Sequence, residues 1–121
     1  MCRILVVDDE RDVVNYLVIE MQTAGWQAGA AYDGVEAVLK VMDGGWDAVL
    51  MDIRVPRLDG IGALRLMRRL APQLPVILFT GQTGQSDMIE STRRGAFTCL
   101  LKPVNSDKLL QTIRQALPGT V

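Results

Sequence analysis

The chain has 121 residues, of which 49% are hydrophobic and 22% are charged, and its formal net charge at pH 7 is −1. This length and composition are typical of one globular domain and exclude a disordered or fibrous protein. The near-neutral charge provides no overall basic field, so we expect no direct nucleic acid binding by this domain. No apolar stretch is long enough to cross a bilayer and no signal-peptide pattern is found, so we predict a cytoplasmic protein without a membrane segment.

Short apolar runs alternate along the chain with longer stretches of helical period, which is typical of repeated βα units and a parallel sheet. Five strands are predicted, at residues 3–7, 27–31, 48–51, 76–79 and 98–101. The central strands are continuously apolar, as expected for strands that are covered on both faces. The second strand contains Gln27 and Gly29, which indicates a strand at the edge of the sheet.

Residues that favour helix ends agree with the apolar periodicity of the segments between the strands. Asp33 and Asp59 are predicted N-caps of the second and third helices, and Ser106 is the predicted N-cap of the last. Gly25 and Gly44 stand where the first two helices are expected to end.

The fourth predicted helix, residues 87–94, is the least well marked. Its apolar members are only Met88 and Ile89, so little packing energy is available to hold it in place. We therefore predict that this helix can move. Residues 117–121, which include a proline and a glycine, end the last helix and are predicted to begin a linker or a free end.

Polar side chains follow four of the predicted strands. Asp8 and Asp9 follow the first strand, Asp52 the third, Thr80 the fourth and Lys102 the fifth. In an open parallel sheet, ligands bind at the carboxyl ends of the strands where the strand order reverses. A single aspartate in such a place is often only a helix cap or a solvated turn residue. The combination of three acids, a hydroxyl and an ammonium group predicts a functional site.

These residues lie within ordered motifs: LVVDDE at 5–10, DIRVPRLDG at 52–60, TG at 80–81, GA at 95–96 and KP at 102–103. With them the chain resembles the receiver domain of bacterial two-component response regulators over essentially all of its residues. The resemblance implies an α/β fold, a flavodoxin-like doubly wound (βα)5 domain over residues 1–121. It also implies a five-stranded parallel sheet in the order 2-1-3-4-5.

By this resemblance, Asp52 is the phosphoacceptor, which takes a phosphoryl group from a phosphohistidine of a sensor histidine kinase or a phosphotransfer protein. Asp9, Asp52 and the backbone carbonyl of Arg54 would bind Mg²⁺ directly, and Asp8 would act through a water molecule. The physical chemistry supports this assignment independently. Three neighbouring carboxylates repel one another, and a hard dication that prefers oxygen ligands relieves the repulsion.

The other two site residues have roles that follow from the needs of phosphoryl transfer. The reaction requires an in-line nucleophile and positive charge around the equatorial oxygens. Lys102 and Mg²⁺ would supply the charge, and Thr80 would donate a hydrogen bond to a third oxygen. The resemblance also implies a cis peptide bond between Lys102 and Pro103.

The resemblance implies that phosphorylation draws Thr80 inward and shifts an equilibrium between inactive and active states. The change would be relayed to an output domain or effector protein, in the family often with homodimerisation through the fourth and fifth helices. Cys99 stands where the family often has an aromatic residue that rotates on activation. Phe97 lies two residues away, which places it on the same face of the predicted strand. We read Cys99 as an interior residue.

Two other readings remain open. One is a pseudo-receiver, an interaction module that keeps the fold without being phosphorylated. The other is a metal-dependent phosphohydrolase that uses Asp52 as its nucleophile. Such enzymes typically carry a second acid two residues after the nucleophile, where this chain has Arg54.

Overall fold

The computed structural model describes residues 2–81 and 85–117, which form an alternation of five strands and five helices. The strands are β1 (Arg3–Val7), β2 (Gln27–Ala31), β3 (Ala48–Asp52), β4 (Val76–Thr80) and β5 (Thr98–Leu101). The helices are α1 (Arg11–Thr23), α2 (Gly34–Asp43), α3 (Gly60–Leu70), α4 (Gln85–Arg93) and α5 (Ser106–Ala116). None of the helices described is long and apolar enough to cross a membrane.

The strands form one parallel sheet in the order β2-β1-β3-β4-β5, which confirms the predicted topology and the edge position of β2. The register pairs Val7 with Met51 and Asp52 with Phe79. Because the strands are parallel and nearly level, their carboxyl ends meet at one edge of the sheet. The strand order reverses between β1 and β3, so that edge carries the cleft in which such folds bind ligands.

The sheet separates two apolar cores, because successive residues of a strand point to opposite faces. Leu5 and Met51 belong to the core under α2 and α3, whereas Ile4 and Leu50 belong to the core under α1 and α5. All four of these side chains are fully buried. This double covering explains why the central strands read as continuous apolar runs, and it provides a close-packed support for the residues at the edge.

Most predicted boundaries agree with the structure, and the exceptions have local causes. β3 and β4 each extend one residue further than predicted, to Asp52 and Thr80, because the predicted strands ended at the last apolar residue of each run. Asp33 and Asp59 cap their helices as predicted. The prediction of Ser106 as N-cap of α5 was wrong by one residue, since the Asn105 side chain accepts the Lys108 amide at 2.7 Å.

The prediction of 87–94 for the fourth helix was wrong at both ends, since α4 spans Gln85–Arg93. Its polar first turn has no apolar periodicity from which the start could be predicted. Within α4, Met88 is half-buried and Ile89 is 62% exposed, whereas Ser91 is fully buried. The apolar contribution of this helix to the core is therefore small, as its composition indicated.

Replacing Leu50 by alanine should destabilise the domain by about 2–5 kcal/mol, because Leu50 is fully buried and its removal leaves a cavity between β3 and the helices. Leu39→Ala is the matched control, since Leu39 is 55% exposed on α2 and its loss should cost about 0.5 kcal/mol or less. Urea unfolding of both variants measures the difference. Equal losses would contradict this assignment of the core.

Candidate functional site

The structure brings the predicted site residues to the carboxyl edge of the sheet. Asp52 and Thr80 are the last residues of β3 and β4, Asp8 and Asp9 follow β1, and Lys102 follows β5. Four strands that are far apart in sequence therefore contribute to one small region. The Lys102–Pro103 peptide bond is cis, as the resemblance implied.

The ammonium group of Lys102 is the centre of this region. Its Nζ donates a hydrogen bond to Asp52 Oδ2 and lies 3.9 Å from Asp8 Oδ2. One cation thus links the acids that follow β1 and end β3. The lysine side chain is 41% exposed, whereas those of Asp8 and Asp52 are 5% and 13% exposed, so the carboxylates lie inside and the cation covers them.

The titration of Asp8 reflects this crowding of negative charge. Burial raises the pKa of Asp8 above its usual value, and the neighbouring charge of Asp52 raises it further. A hydrogen bond from the Glu10 amide to Asp8 Oδ1, at 3.0 Å, and the positive charge of Lys102 oppose the rise. Asp8 is therefore harder to ionise than a free aspartate, because burial and repulsion outweigh the two contacts that favour its charge.

The pKa of Lys102 is shifted by the same neighbouring charges. Burial alone would lower its pKa, but the hydrogen bond and charge of Asp52, with Asp8 and Glu10 further away, outweigh burial and raise it. Lys102 is consequently a permanent cation at neutral pH. The charge of Glu10 was not predicted to matter, although its position directly after the acidic pair was a signal for it.

Thr80 reaches the same edge from β4. Its residue is 1% exposed, and its hydroxyl has no hydrogen-bond partner within residues 2–81 and 85–117. A buried hydroxyl without a partner is costly, and such groups are common where a ligand or a second conformation supplies the partner. Its backbone is fixed, since the Lys102 amide donates to the Thr80 carbonyl at 2.8 Å.

The other predicted ligands of the metal are placed less closely. Asp9 is exposed, although it lies near enough to Asp8 to affect its titration. The Arg54 amide donates to Asp52 Oδ1 at 2.8 Å, and the Arg54 side chain is exposed. Within the part of the chain that the structure describes, no group of three or more His, Cys, Asp or Glu residues is arranged as a complete metal cage.

The donor set nevertheless fits Mg²⁺ better than a metal that needs a full protein cage. Mg²⁺ keeps several water ligands and is held by one or two carboxylates. Asp8 and Asp52 provide two oxygen donors on neighbouring strands, and a dication would relieve the repulsion between their charges. These donors therefore fit Mg²⁺, and the Arg54 carbonyl remains a predicted ligand.

A cavity of about 620 Å³ lies beside the site, on the side of α1 and α5. Asp8 and Lys102 belong to its lining, and Tyr16 and Leu17 of α1 with Val104 before α5 contribute to its largely apolar wall. Asp52 does not line this cavity, and its side chain is 13% exposed.

The structure also places the residues of the fifth strand. Cys99 is buried, as predicted, and burial raises the pKa of its thiol while the neighbouring hydroxyl of Ser91 on α4 opposes the rise. Phe97 lies before β5 and is 45% exposed, so it does not occupy the buried place that Cys99 fills.

Comparison with known proteins agrees with the fold. The family described as "Response regulator receiver domain" matches residues 4–114, and the chain belongs to this family. Among its relatives, ZraR, a transcriptional regulatory protein of Salmonella typhimurium, is 34% identical over 119 residues, which cover 97% of this chain and 26% of ZraR. The response regulator MprA of Mycobacterium sp. (strain KMS) is 36% identical over 118 residues, covering 98% of this chain and 51% of MprA.

Solved structures give the same result. A response regulator receiver domain protein from Clostridium thermocellum superposes with a TM-score of 0.90 at 28% identity, covering 96% of this chain and 94% of that one. The response regulator TrrA of Thermotoga maritima, solved in complex with Mg(2+)-BeF, superposes with a TM-score of 0.87 at 32% identity, covering 97% of this chain and 100% of TrrA. The chain thus spans whole receiver structures but only a quarter to a half of the longer regulators ZraR and MprA.

In metal-free buffer, Asp52→Asn should lower the pKa of Asp8, because it removes a neighbouring negative charge, and Lys102→Gln should raise it, because it removes a positive one. Carboxyl ¹³C NMR titration of Asp8 measures both shifts. The exposed Asp43→Asn on α2 is the control and should leave the Asp8 titration unchanged. Shifts of the same sign in the two site variants would contradict the described electrostatics.

Proposed function

We propose that this domain is a phosphorylation-activated signalling switch in which Asp52 accepts a phosphoryl group from the phosphohistidine of a sensor histidine kinase or phosphotransfer protein. One observation carries the proposal. The ammonium of Lys102 is bound to the Asp52 carboxylate and lies 3.9 Å from Asp8, beside an accessible cavity. A nucleophilic carboxylate with a fixed cation at its side is what phosphoryl transfer to aspartate requires.

In the proposed reaction, a carboxylate oxygen of Asp52 forms a bond to phosphorus as the bond between phosphorus and the donor nitrogen breaks. The histidine, whose other ring nitrogen carries a proton, leaves as neutral imidazole, and Asp52 becomes an acyl phosphate. Lys102 then stabilises the phosphoryl oxygens, and the buried Thr80 hydroxyl gains an acceptor that the described residues do not provide. Asp9, Asp52 and the Arg54 carbonyl would hold Mg²⁺ directly, with Asp8 acting through a water molecule, and the bound ion would supply further positive charge for the phosphoryl oxygens.

We further propose that the domain promotes this transfer and its own dephosphorylation as part of a switch, and is not an enzyme acting on a separate substrate. Residues 1–121 would constitute the receiver unit, with 117–121 at the start of a linker. Residues 118–121 lie outside those that the structure describes. The names of ZraR and MprA support a regulatory output for such receivers, supplied by a further domain or an effector protein.

The proposed relay begins at Thr80 and ends at α4. Movement of Thr80 toward a phosphoryl group would change the end of β4, next to the start of α4, a helix that buries few apolar side chains. With Cys99 where an aromatic rotor is common, a shift driven by Thr80 would have to proceed without that rotor. Ile89 of α4, Phe97 before β5 and Leu101 at the end of β5 are exposed apolar residues, and their exposure supports a phosphorylation-linked homodimer through α4 and α5.

Incubation with acetyl phosphate tests the function, with intact mass as the measurement. We expect one phosphoryl group per chain, only with Mg²⁺, and its complete loss in Asp52→Ala because the nucleophile is gone. Asp43→Ala removes an exposed carboxylate of α2 and should leave the phosphorylation intact.

Two outcomes would overturn the proposed function. A pseudo-receiver would gain no mass, and a phosphohydrolase would consume the donor with many turnovers. Gel filtration of the phosphorylated sample tests dimerisation separately, with Asp52→Ala treated in the same way as the control. A phosphorylated protein that stays monomeric would disprove the homodimer and leave the phosphoacceptor role intact.

Arg54 is proposed to lengthen the lifetime of the phosphoryl group, because its exposed side chain lies two residues past the acceptor and can shield the acyl phosphate from water. Arg54→Ala should speed the decay by up to about fivefold, the rate equivalent of about 1 kcal/mol. Decay of radiolabelled protein measures it. Gln82 is predicted to act likewise, but it lies outside the described residues. Unchanged lifetimes in Arg54→Ala and Gln82→Ala would disprove the hypothesis.

A further inference from the structure

The loop between β3 and α3 packs against the start of α2. The Gly34 amide donates to the Pro56 carbonyl at 3.1 Å. A Cβ atom placed on Gly34 would lie 1.7 Å from the Leu58 carbonyl oxygen and 2.6 Å from its carbon. Both distances are impossible contacts with backbone atoms. Only glycine at position 34 therefore allows the loop to approach α2 this closely.

An ion pair next to Gly34 holds the same loop. Arg57 Nη1 lies 3.2 Å from Asp33 Oδ2, while Asp33 Oδ1 accepts the Glu36 amide at 2.7 Å and caps α2. Arg57 itself has a φ of 69°, in the left-handed region that non-glycine residues adopt at a cost. Contacts with α2 thus help to maintain a loop conformation that Arg57 adopts at a cost.

The other part of this loop belongs to the phosphorylation site. The Arg54 amide donates to Asp52 Oδ1 at 2.8 Å, and the Ile53 carbonyl accepts the Gly60 amide at 2.7 Å. The Arg54 peptide therefore lies between two anchored points, the end of β3 and the contact of Pro56 with α2. A displacement of the loop at α2 moves the backbone between these points, which contains the predicted metal-binding carbonyl.

We propose that Gly34, supported by the Asp33–Arg57 ion pair, is a positioning residue for Mg²⁺ binding, because it fixes the β3–α3 loop and with it the Arg54 carbonyl. The inference rests on the proposed function, since it assumes that Mg²⁺ binds at this edge. Gly34, Asp33 and Arg57 are not expected to contact the metal. They affect the Mg²⁺ affinity indirectly, because they hold in place the loop that carries the Arg54 carbonyl.

The test is a Mg²⁺ titration of Gly34→Ala, followed by backbone amide NMR shifts. We expect the dissociation constant to rise by about tenfold, which is typical of lost support behind a metal ligand. Gly44→Ala, at the other end of α2, is the matched control. Its φ of 82° makes alanine unfavourable, but no atom lies within 4 Å of the added Cβ, so stability falls without displacement of the loop. Its Mg²⁺ affinity should equal that of the unmodified protein.

A second readout separates positioning from general damage. With acetyl phosphate, Gly34→Ala should require about tenfold more Mg²⁺ for half-maximal phosphorylation, with the rate at saturating Mg²⁺ unchanged. If Gly34→Ala does not fold, Arg57→Gly decides the matter. It suits the positive φ, removes the ion pair and should weaken Mg²⁺ binding by about two- to fivefold.

The outcomes distinguish this inference from the proposed function. An unmodified protein that binds no Mg²⁺ would overturn both. Normal Mg²⁺ binding in Gly34→Ala, or in Arg57→Gly where the first variant is unfolded, would overturn the positioning role and leave the phosphoacceptor role intact. Equal weakening in Gly34→Ala and Gly44→Ala would also count against it, since lost stability would then account for the effect.

Discussion

The contact of one ammonium group with two carboxylates is the interaction on which the site depends. Asp8 and Asp52 come from neighbouring strands, and their side chains are almost buried, so their charges repel one another in a poorly solvated place. Lys102 offsets this repulsion from a third strand. Removing Lys102 would leave two buried carboxylates uncompensated, whereas removing either acid would leave one ion pair and relieve the repulsion. The arrangement is therefore better explained by chemistry than by folding.

The sheet beneath the site is what makes this arrangement possible. Its strands are covered on both faces by separate cores, so their ends cannot shift individually without disturbing close-packed side chains such as Leu50 and Met51. The loop after β3 is also held in place by contacts with a neighbouring element. It contains a residue in the left-handed region, Arg57, and it is held by a glycine contact and an ion pair on α2. Geometry at the site is thus imposed by packing some distance from it.

The fold could be predicted from the sequence because it depends on local patterns, and the same patterns selected the candidate site residues that the structure brings to one edge. Apolar runs mark the strands, and the charged residues that end them identify the edge once the strands are known to be parallel. The errors arose where several residues compete for one role. Asn105, Ser106 and Asp107 are all suitable N-caps, and only the structure shows that Asn105 accepts the Lys108 amide.

Long-range contacts could not be predicted for a different reason. Nothing near Gly34 in the sequence indicates that its missing Cβ makes room for the Leu58 carbonyl, 24 residues away. The sequence likewise predicted only that Lys102 and Asp52 lie near each other. It could not predict their hydrogen bond, because the direction of a long side chain is set by its partners. Periodicity reveals which residues are buried, but it does not reveal which backbone segments meet.

The difference in packing between the two halves of the site indicates where a change of state can occur. Asp52 and Lys102 are fixed by the sheet and by each other, whereas Thr80 has a buried hydroxyl without a partner in the described residues. The adjacent α4 exposes Ile89 and meets β5 through the small Ser91 and Cys99. Small side chains interlock less than an aromatic ring would, so fewer contacts must break when this helix shifts. A phosphoryl group on Asp52 would then act on the least constrained element of the domain through Thr80, the residue that has a hydrogen bond to gain.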